Sequence, residues 1–363
     1  MFVVITRNFP PDVGGIQILM EGLSKALTNH GPVKIFADEY PNCNDYDRNS
    51  NLGIQRIGGF KVFRKFRKAY AANEYLKNNK IRAIFFDHWK SLEHINLDHL
   101  NKTSNFCLIH SKEINHPIGS SLNIRMNKSF KKAQYIVANS KYTKELGVSM
   151  GLEKEKIHII NPGTNYPVKI DKEESIKAKK IFGSAFPKII TIARLDKRKS
   201  HQNILMTVKN LMPTYPDIKY VCIGDGEEKK NLENLRAQLG LEQQVVFLPR
   251  TDEKFKVAIL NEANLFLMPS IIYKKSIEGF GISFIEAGSY GKGSIGGMAG
   301  GEADAIEDGK TGYLCDGSDL NSIYETVLKF FHNDNCKILG SQASVFSEKF
   351  KWKKIVEQYL SLV

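Results

Sequence analysis

The stretch Lys188-Ile-Ile-Thr-Ile-Ala-Arg-Leu-Asp-Lys-Arg-Lys199 begins as a short β-branched, apolar run and ends as a basic loop. A buried strand that leads directly into a polar loop is typical of parallel sheets, in which ligand-binding residues follow the carboxyl ends of the strands. Outward from this stretch, similar runs alternate with helical patterns over the whole chain. The alternation predicts an α/β fold with two doubly wound, Rossmann-like sheets in tandem.

Six apolar runs in each half of the chain are predicted strands. They cover residues 2–6, 33–37, 83–86, 105–109, 135–139 and 157–160, and then 188–193, 219–223, 244–248, 265–268, 293–296 and 313–315. Helical patterns fall at 17–29, 201–211, 229–239, 282–290, 320–331 and 350–360. The sequence therefore predicts a first domain over 1–165, a linker over 166–187, a second domain over 188–345 and a C-terminal helix within 346–363 that packs back on the first domain.

Length and composition indicate a folded protein of two ordinary domains. The chain has 363 residues, of which 42% are hydrophobic and 25% charged. Its five cysteines are scattered and form no CxxC pair, which argues against a disulfide framework and a zinc site and favours a reducing, cytoplasmic compartment. The apolar start over 1–5 is too short for a signal peptide, and no run reaches membrane-spanning length. We therefore expect that the protein is not integral to a membrane.

The net charge of +13 is concentrated in the first half of the chain. Residues 1–163 carry 24 lysines and arginines against 14 aspartates and glutamates, a balance of +10. A basic half favours an anionic partner, such as nucleic acid, an acidic membrane surface or a phosphorylated substrate, although such charge also serves solubility. Nucleic acid is not expected, because the chain shows no RNP, helix-turn-helix or zinc signature.

The segment Glu278-Gly-Phe-Gly-Ile-Ser-Phe-Ile-Glu286 combines a glycine-flanked turn with the start of a helix. Free backbone amides at such a turn bind anions at the positive end of the helix dipole, and a diphosphate would suit them. These amides belong to Gly279, Phe280, Gly281 and Ile282. The spacing lets Glu278 face a sugar hydroxyl and Glu286 reach a ribose, although surface carboxylates beside a helix start would give the same pattern.

Two further loops of the second half follow predicted strands. Arg194 can bind two phosphate oxygens at once, and Lys199 adds a mobile positive charge, so together they would neutralise a diphosphate leaving group. A solvated basic loop is the alternative. After the next strand, Gly224 and Gly226 flank Asp225 and leave room for a nucleotide. The sequence thus predicts a nucleotide site in the second domain.

In the first half, Phe9-Pro-Pro-Asp-Val-Gly-Gly-Ile-Gln17 connects the first strand to the first helix. Its Gly14 and Gly15 allow the backbone to approach a ligand closely. His110 follows the predicted strand over 105–109, so its imidazole is expected at the same sheet edge, where it would bond a sugar hydroxyl. A histidine that serves packing or the surface is the alternative.

A polar loop over 40–51 contains Asp45-Tyr-Asp47, which matches the DxD pattern of metal-dependent transferases. Two aspartates at this spacing arise often by chance in polar loops. No metal is therefore expected to bind there.

The segment over 61–70 interleaves aromatic and basic side chains in a helical pattern. Val62, Phe63, Phe66 and Tyr70 fall near one face, with Lys61, Arg64, Lys65, Arg67 and Lys68 around the rest. Such a helix can lie on an anionic bilayer surface, where each cation contributes about 1 kcal/mol. An ordinary amphipathic helix packed on the sheet is the alternative.

These motifs occur in one order along nearly the whole chain: the loop over 9–17, His110, Arg194-x4-Lys199, Gly224-Asp-Gly226 and Glu278-Gly-Phe-Gly-x4-Glu-Ala287. In this combination the chain resembles glycosyltransferase family 4, and its N-terminal loop is most similar to that of mannosyltransferases that glycosylate phosphatidylinositol lipids. The resemblance implies the GT-B fold, with two domains facing a central cleft. It also implies a nucleotide sugar bound by the second domain, no metal or other cofactor, and transfer with retention of configuration.

The resemblance also implies roles for individual residues. They are diphosphate binding by Arg194 and Lys199, donor-sugar binding by Glu278, ribose binding by Glu286, phosphate binding by the Gly15 amide, and a place near the reacting carbon for His110. In the front-face mechanism usually proposed for the family, the leaving phosphate oxygen accepts the acceptor's proton, and no protein nucleophile is needed. The segments 161–165 and 291–301 depart from the family's usual pattern, which affects the subfamily more than the family.

The resulting hypothesis is transfer of a hexose, from GDP-mannose or a UDP donor, to a lipid or envelope-glycan acceptor. Two alternatives remain open. A sugar-nucleotide 2-epimerase of the same fold would need other carboxylates, and a catalytically silent nucleotide-sugar or membrane-binding module would bind a donor without turnover. A cytoplasmic protein, peripheral at the inner face of the membrane, fits the basic first half. Sequence gives no expectation for the oligomeric state.

Overall fold

The computed structural model describes residues 1–363, which divide into two compact units. The first unit comprises residues 1–164 together with 351–363, and the second comprises residues 165–350. The stretch over 166–187 is not the predicted linker, because it carries a helix, Lys172–Phe182, that packs within the second unit. Ala178 and Phe182 are buried on one face of this helix, and its many charged residues lie on the other.

The first unit contains a parallel sheet of seven strands. They are β1 (Phe2–Thr6), β2 (Val33–Asp38), β3 (Gly53–Ile57), β4 (Ala83–Phe86), β5 (Ser104–Ile109), β6 (Tyr135–Ala138) and β7 (Ile157–Ile159). The spatial order is β3-β2-β1-β4-β5-β6-β7. The central strands β1 and β4 are buried throughout, which explains their uninterrupted apolar sequences. The sequence analysis missed β3, an edge strand in which Gln55 and Arg56 interrupt the apolar pattern.

The second unit contains a parallel sheet of six strands. They are β8 (Lys188–Ile192), β9 (Lys219–Ile223), β10 (Val245–Leu248), β11 (Leu265–Met268), β12 (Gly293–Gly297) and β13 (Gly312–Cys315). The spatial order is β10-β9-β8-β11-β12-β13. All six strands agree with the predicted runs to within one residue at each end.

Fifteen α-helices connect the strands. In chain order they are α1 (Gly15–Thr28), α2 (Cys43–Asn49), α3 (Lys61–Asn78), α4 (Trp89–Leu92), α5 (Leu97–Leu100), α6 (Ser121–Phe130), α7 (Lys141–Ser149), α8 (Lys172–Phe182), α9 (His201–Leu211), α10 (Lys229–Gln238), α11 (Glu253–Glu262), α12 (Ile282–Gly288), α13 (Leu320–Phe331), α14 (Asn335–Ser347) and α15 (Trp352–Leu360). Helices α1 to α7 and α15 belong to the first unit. None of the helices combines the length and the apolar character that crossing a bilayer requires.

Each sheet has one point at which the strand order reverses, between β1 and β4 in the first and between β8 and β11 in the second. In open parallel sheets the connections leave such neighbouring strands in opposite directions, and the gap at their carboxyl ends holds ligands. The residues that follow β1 and β4 are 7–14 and 87–88, and those that follow β8 and β11 are 193–199 and 269–281. These four segments hold most of the predicted site residues.

The C-terminal helix α15 completes the core of the first unit by packing on α1. The Trp352 indole is buried against Gly22 of α1 and against Gly163, and a β-carbon at either glycine would overlap the indole. The indole fits between α1 and the segment that contains Gly163 because both glycines lack a side chain.

We expect Gly22→Ala to destabilise the first unit by about 1–3 kcal/mol, because the new methyl group forces the Trp352 indole out of its site. Urea unfolding measures the change. Lys25→Ala, on the exposed face of the same helix, removes a single ion pair to Glu21 and is expected to cost less than about 0.5 kcal/mol. A Gly22→Ala variant as stable as the wild type would contradict this account of the packing.

Candidate functional site

The basic loop after β8 is fixed by contacts with the loop after β9. The Leu195 amide donates a hydrogen bond to the Asp225 carbonyl, at 3.0 Å. Gly224 and Gly226 make this approach possible, because a β-carbon at either position would overlap the backbone of residues 193–195. These two glycines are therefore required by the contact between the loops, independently of any role beside a nucleotide.

His201, which the sequence analysis did not single out, forms a hydrogen bond to the same loop. It is buried at the start of α9, and its Nε2 lies 3.1 Å from the Arg194 carbonyl oxygen. Burial lowers the pKa of His201 to about 4, although the bond to Arg194 opposes the shift. The ring is thus neutral at pH 7, and its Nε2–H donates to the Arg194 carbonyl. The Arg194 backbone is therefore fixed, while its side chain is exposed.

A cluster of three charged side chains joins the loops that follow β8 and β11. The Glu278 carboxylate forms ion pairs with Lys199 and with Arg198, the latter at 2.6 Å, and both contacts are to Oε2. Lys199 is buried, and its Nζ also lies 3.1 Å from the Met268 sulfur at the end of β11. The structure thus brings together the predicted Lys199 and Glu278. The arginine that pairs with Glu278 is Arg198, which the sequence analysis did not single out, and diphosphate binding by Arg194 stays a prediction.

The two cations determine the ionisation of Glu278. Burial alone would raise the pKa of this carboxyl, but Lys199 and Arg198 together lower it to about 2. Glu278 is therefore an anion at every physiological pH. Its Oε2 is occupied by both cations, which leaves Oε1 to accept hydrogen bonds from a ligand hydroxyl.

A second carboxyl, Glu302, lies beside this cluster and was missed by the sequence analysis. It is only 1% exposed, its Oε2 accepts a hydrogen bond from the Gly297 amide, and its Oε1 has no partner. Burial raises its pKa to about 8, with Lys199 opposing and Glu278 adding to the shift. With Glu302 neutral, the two cations face the carboxylate of Glu278 and, 3.9 Å from Arg198, that of Asp196. No sequence signal identifies Glu302, because only the tertiary fold brings it here.

The turn before α12 contains the amides predicted to bind an anion. Gly281 has a left-handed backbone, and α12 begins at Ile282. The Phe280 side chain packs in the core against Phe350, so only its backbone is available to a ligand. The Glu278 carbonyl, directly before Gly279, accepts a hydrogen bond from the Gly301 amide at 2.9 Å. This bond fixes the start of the turn.

Glu286 lies on α12 and is buried. Its carboxylate pairs with Lys256 of α11 at 3.4 Å. Lys256 also pairs with Glu253, at 3.0 Å. The predicted ribose contact of Glu286 stays a prediction, and the structure adds that Lys256 already holds one carboxylate oxygen.

In the first unit, Gly14 and Gly15 form the start of α1. The Gln17 side chain donates to the Asp12 carboxylate at 2.6 Å, which closes the loop that precedes the helix. A β-carbon on Gly15 would meet no other atom within 4 Å. Gly15 is exposed and the space beside its α-carbon is open, so its predicted contact with a phosphate stays a prediction.

His110 directly follows β5, as predicted. Its Nε2 lies 3.0 Å from the Asp87 carbonyl oxygen, and its amide donates to the Glu113 carboxylate. A carbonyl can only accept, so Nε2 carries the proton and Nδ1 is left as a hydrogen-bond acceptor. The role implied for His110 beside a sugar therefore falls to Nδ1.

The two aspartates of the DxD pattern are engaged by arginines. The polar stretch over 40–51, predicted as a loop, contains α2, whose Asp45 pairs with Arg48. Asp47 pairs with Arg56 at 2.7 Å, and Arg56 also donates to the Pro10 carbonyl. The chain contains no group of three or more His, Cys, Asp or Glu side chains placed to hold a metal ion. Asp47 thus supports the loop over 9–17 through Arg56.

Comparisons with known proteins bear on this architecture. Residues 13–166 match the family model described as Glycosyltransferase Family 4, and residues 172–346 match the model described as Glycosyl transferases group 1. An uncharacterized glycosyltransferase of Methanocaldococcus jannaschii is 24% identical over 98% of this chain and 96% of its own length. The GDP-mannose-dependent alpha-(1-6)-phosphatidylinositol monomannoside mannosyltransferase of Mycolicibacterium smegmatis is 22% identical, over 90% and 87%. The Anabaena HepE structure in complex with UDP-glucose has a TM-score of 0.80 at 17% identity and covers 100% of both chains.

The two parallel sheets and the two matched domains define this chain as a glycosyltransferase with the GT-B fold. It belongs to glycosyltransferase family 4, which confirms the resemblance drawn from its motifs.

The protonation state of Glu302 predicts how the free energy of unfolding depends on pH. Between pH 4.5 and 8 the folded chain keeps a proton on Glu302 that the unfolded chain releases, so this residue lowers stability as pH rises through that range. Glu302→Gln removes the titration and keeps an acceptor for the Gly297 amide. We expect the variant to gain stability over the wild type by a few kcal/mol between pH 5 and pH 8, measured by urea unfolding.

The matched control is Glu242→Gln, which neutralises an exposed carboxylate of the same unit. Its stability difference from the wild type is expected to stay constant over the same pH range. If the stabilities of Glu302→Gln and the wild type changed in parallel with pH, Glu302 would be ionised in the folded protein and the prediction would be wrong.

Proposed function

We propose that this chain is a retaining glycosyltransferase that moves a hexose from a nucleotide sugar, GDP-mannose or a UDP-hexose, to a lipid-linked or envelope-glycan acceptor. One observation carries the proposal. The second unit concentrates Arg198, Lys199 and Glu278 where β8 and β11 end, at the strand-order reversal. Parallel sheets bind nucleotides at this point.

The cluster suits a departing diphosphate. Cleavage of the bond between the anomeric carbon and the phosphate leaves negative charge on the diphosphate, and fixed cations at that position lower the barrier. Ion pairs with Glu278 fix the positions of Lys199 and Arg198, so these two cations need to move little to meet a diphosphate. The exposed Arg194, on the same loop, would add a third cation.

Glu278 then has two successive partners. In this structure its carboxylate pairs with Lys199 and Arg198. A diphosphate that pairs with the two cations would compete with Glu278 for them and release carboxylate oxygens to accept bonds from sugar hydroxyls. Glu278 thus positions the donor sugar rather than acting as an acid or base, which agrees with its low pKa.

Both nucleotides are supported by relatives. The Mycolicibacterium enzyme is named as GDP-mannose-dependent, and HepE was solved with UDP-glucose. The 2-epimerase alternative is not favoured, because the matched family models describe glycosyl transfer.

The aromatic side of α3 supports a membrane-bound acceptor. Phe60, Val62, Phe63, Phe66 and Tyr70 are all exposed, Phe60 by 84% and Tyr70 by 71%. The alternative that this side packs on the sheet is wrong, because α3 packs through Ala69, Ala72 and Leu76 instead. Lys68, predicted at the surface, is buried and binds the Thr6 carbonyl and Asp38. The exposed aromatics with the neighbouring lysines and arginines suit the interface of an anionic bilayer on the cytoplasmic side.

The first functional prediction separates the role of Lys199 in binding the diphosphate from the role of Glu278 in transfer. Lys199→Gln is expected to weaken binding of GDP or UDP at least tenfold, because a buried cation is lost from the diphosphate site. Glu278→Gln is expected to retain or tighten that binding, because a competing carboxylate is removed, while the rate of transfer falls by about 100-fold. Calorimetry measures binding, and release of GDP or UDP in the presence of acceptor extract measures transfer.

Controls are Lys209→Gln and Glu242→Gln, which change exposed charges of the same unit and should alter neither property. Arg198→Gln and Arg194→Gln show which arginine contacts the diphosphate. Wild-type transfer in both cluster variants, with thermal unfolding confirming folded protein, would sink the proposal. Donor binding without turnover in any acceptor extract would favour the silent module.

The second functional prediction concerns the membrane. We expect the wild type to co-sediment with vesicles that contain phosphatidylglycerol and to be released as salt rises, because screening weakens the attraction of its cations. Phe60→Ser with Phe63→Ser should weaken vesicle binding at least tenfold, which corresponds to about 1.4 kcal/mol.

Ile176→Ser is the matched control, because it removes an exposed apolar side chain from α8 of the other unit. It should leave vesicle binding unchanged. Binding that is indifferent to anionic lipid, to salt and to the double substitution would remove the membrane from the proposal.

A further inference from the structure

An ion pair joins helix α12, which carries Glu286, to helix α11. The Lys256 ammonium of α11 lies 3.4 Å from Oε2 of Glu286, and the two side chains are only 15% and 8% exposed. Water screens an exposed ion pair, whereas a pair that is shielded from water depends on both of its partners. Oε1 of Glu286 accepts no hydrogen bond from the chain. Lys256 therefore holds one oxygen of the carboxylate and leaves the other unbonded.

The Lys256 ammonium is held on two further sides. Glu253, one turn earlier on α11, lies 3.0 Å from it, and the centre of the Tyr166 ring lies 4.9 Å from it. The negative face of an aromatic ring attracts a cation at this distance. The position of Lys256 is thus set by α11 and by the first residues of the second unit, and not by Glu286 alone.

The Tyr166 ring is fixed in turn by the residues that follow α12. It packs edge-on against the Tyr290 ring, with 6.0 Å between the ring centres. The Tyr290 hydroxyl donates to the Val168 carbonyl and accepts from the Val168 amide, each at 3.0 Å. These bonds fix residues 166–168 beside α12, so the ring stays next to the Lys256 ammonium.

The two carboxylates around Lys256 differ in their access to water. Glu253 is 54% exposed, so water solvates much of its charge, whereas Glu286 is shielded. Burial works against the ammonium, but Glu286 and Glu253 raise the pKa of Lys256 above its ordinary value. Lys256 is therefore a cation at neutral pH. Because no other cation pairs with Glu286, loss of Lys256 would leave a shielded carboxylate without a counter-charge.

We propose that Lys256 is a positioning residue for the ribose of the nucleotide, which holds Oε2 of Glu286 so that Oε1 is left to accept from a ribose hydroxyl. An ionised carboxylate accepts a hydrogen bond more strongly than a neutral group does. Lys256 acts through Glu286 rather than by touching the nucleotide. The ribose contact of Glu286 belongs to the proposed function, on which this inference rests.

The test measures the preference of the protein for ribose over deoxyribose. Calorimetry compares the binding of UDP and GDP with the binding of their 2′-deoxy and 3′-deoxy forms. We expect the wild type to bind the ribose form of its nucleotide about tenfold more tightly than at least one deoxy form, because a hydrogen bond to a charged group is lost. Lys256→Met has a side chain of similar length without the charge. In this variant the preference should fall to about twofold or less, with the deoxy form binding as in the wild type.

Three further variants control for the charge and for the helix. Lys256→Arg keeps a cation that can bond the carboxylate and stack on the Tyr166 ring, so it should retain most of the preference. Lys254→Met makes the same change as Lys256→Met at an exposed lysine of α11 that forms no ion pair, and it should change nothing. Glu253→Gln removes the second carboxylate from Lys256, so the preference should stay the same or increase.

A double substitution separates positioning from support of the fold. Glu286→Gln should abolish the ribose preference, and the addition of Lys256→Met should then change it no further, because Lys256 acts through Glu286. Thermal unfolding checks that each variant is folded. Lys256→Gln, which donates to the carboxylate without a charge, takes the place of Lys256→Met if the latter does not fold, and its preference should be intermediate.

The outcomes distinguish this inference from the proposed function. Binding of neither UDP nor GDP by the wild type would overturn both together. Binding of a nucleotide with the same ribose preference in wild type and Lys256→Met would leave the donor site in place and overturn this inference alone. A loss of affinity by the same factor for the ribose and deoxy forms would overturn it as well, because Lys256 would then only support the fold.

Discussion

The ion cluster of Lys199, Arg198 and Glu278 is the constraint around which the second unit is built. Removing charges from water costs several kcal/mol for each ion, and the cost is offset only when geometry and hydrogen bonds are good. The fold meets this condition because contacts outside the ion cluster fix both loops. His201 and the close loop–loop contact at Gly224 hold one side, and the bond from Gly301 to the Glu278 carbonyl holds the other.

The apolar strands were predictable because a strand buried on both faces needs an uninterrupted hydrophobic sequence, as in β1 and β4. The same logic explains the two failures. Strand β3 has one neighbour and tolerates Gln55 and Arg56, so its pattern is weak. Helix α8 buries only Ala178 and Phe182, and its charged remainder gave the composition of a linker.

For the site, spacing placed Lys199 and Glu278 in loops that the fold brings together, but it did not indicate which side chains of those loops form contacts. Arg198, which the sequence analysis did not single out, contacts Glu278 together with Lys199, because the turn over 197–199 directs adjacent cations to the same carboxylate. Glu302 lies 24 residues beyond Glu278 and enters the cluster only through the fold of β12 and the turn after it. Such a residue has no local signature, since its chemistry depends on burial.

The two strand-order reversals differ in how their cations are balanced. In the second unit, Glu278 holds Lys199 and Arg198, so an anion there must compete with a carboxylate already in place. In the first unit, the Asp87 carboxylate instead accepts hydrogen bonds from backbone and side-chain donors, and it forms no ion pair with Arg7 or Lys90. On the proposed function, a donor diphosphate pairs with Lys199 and Arg198 and so frees Glu278 to bind the sugar.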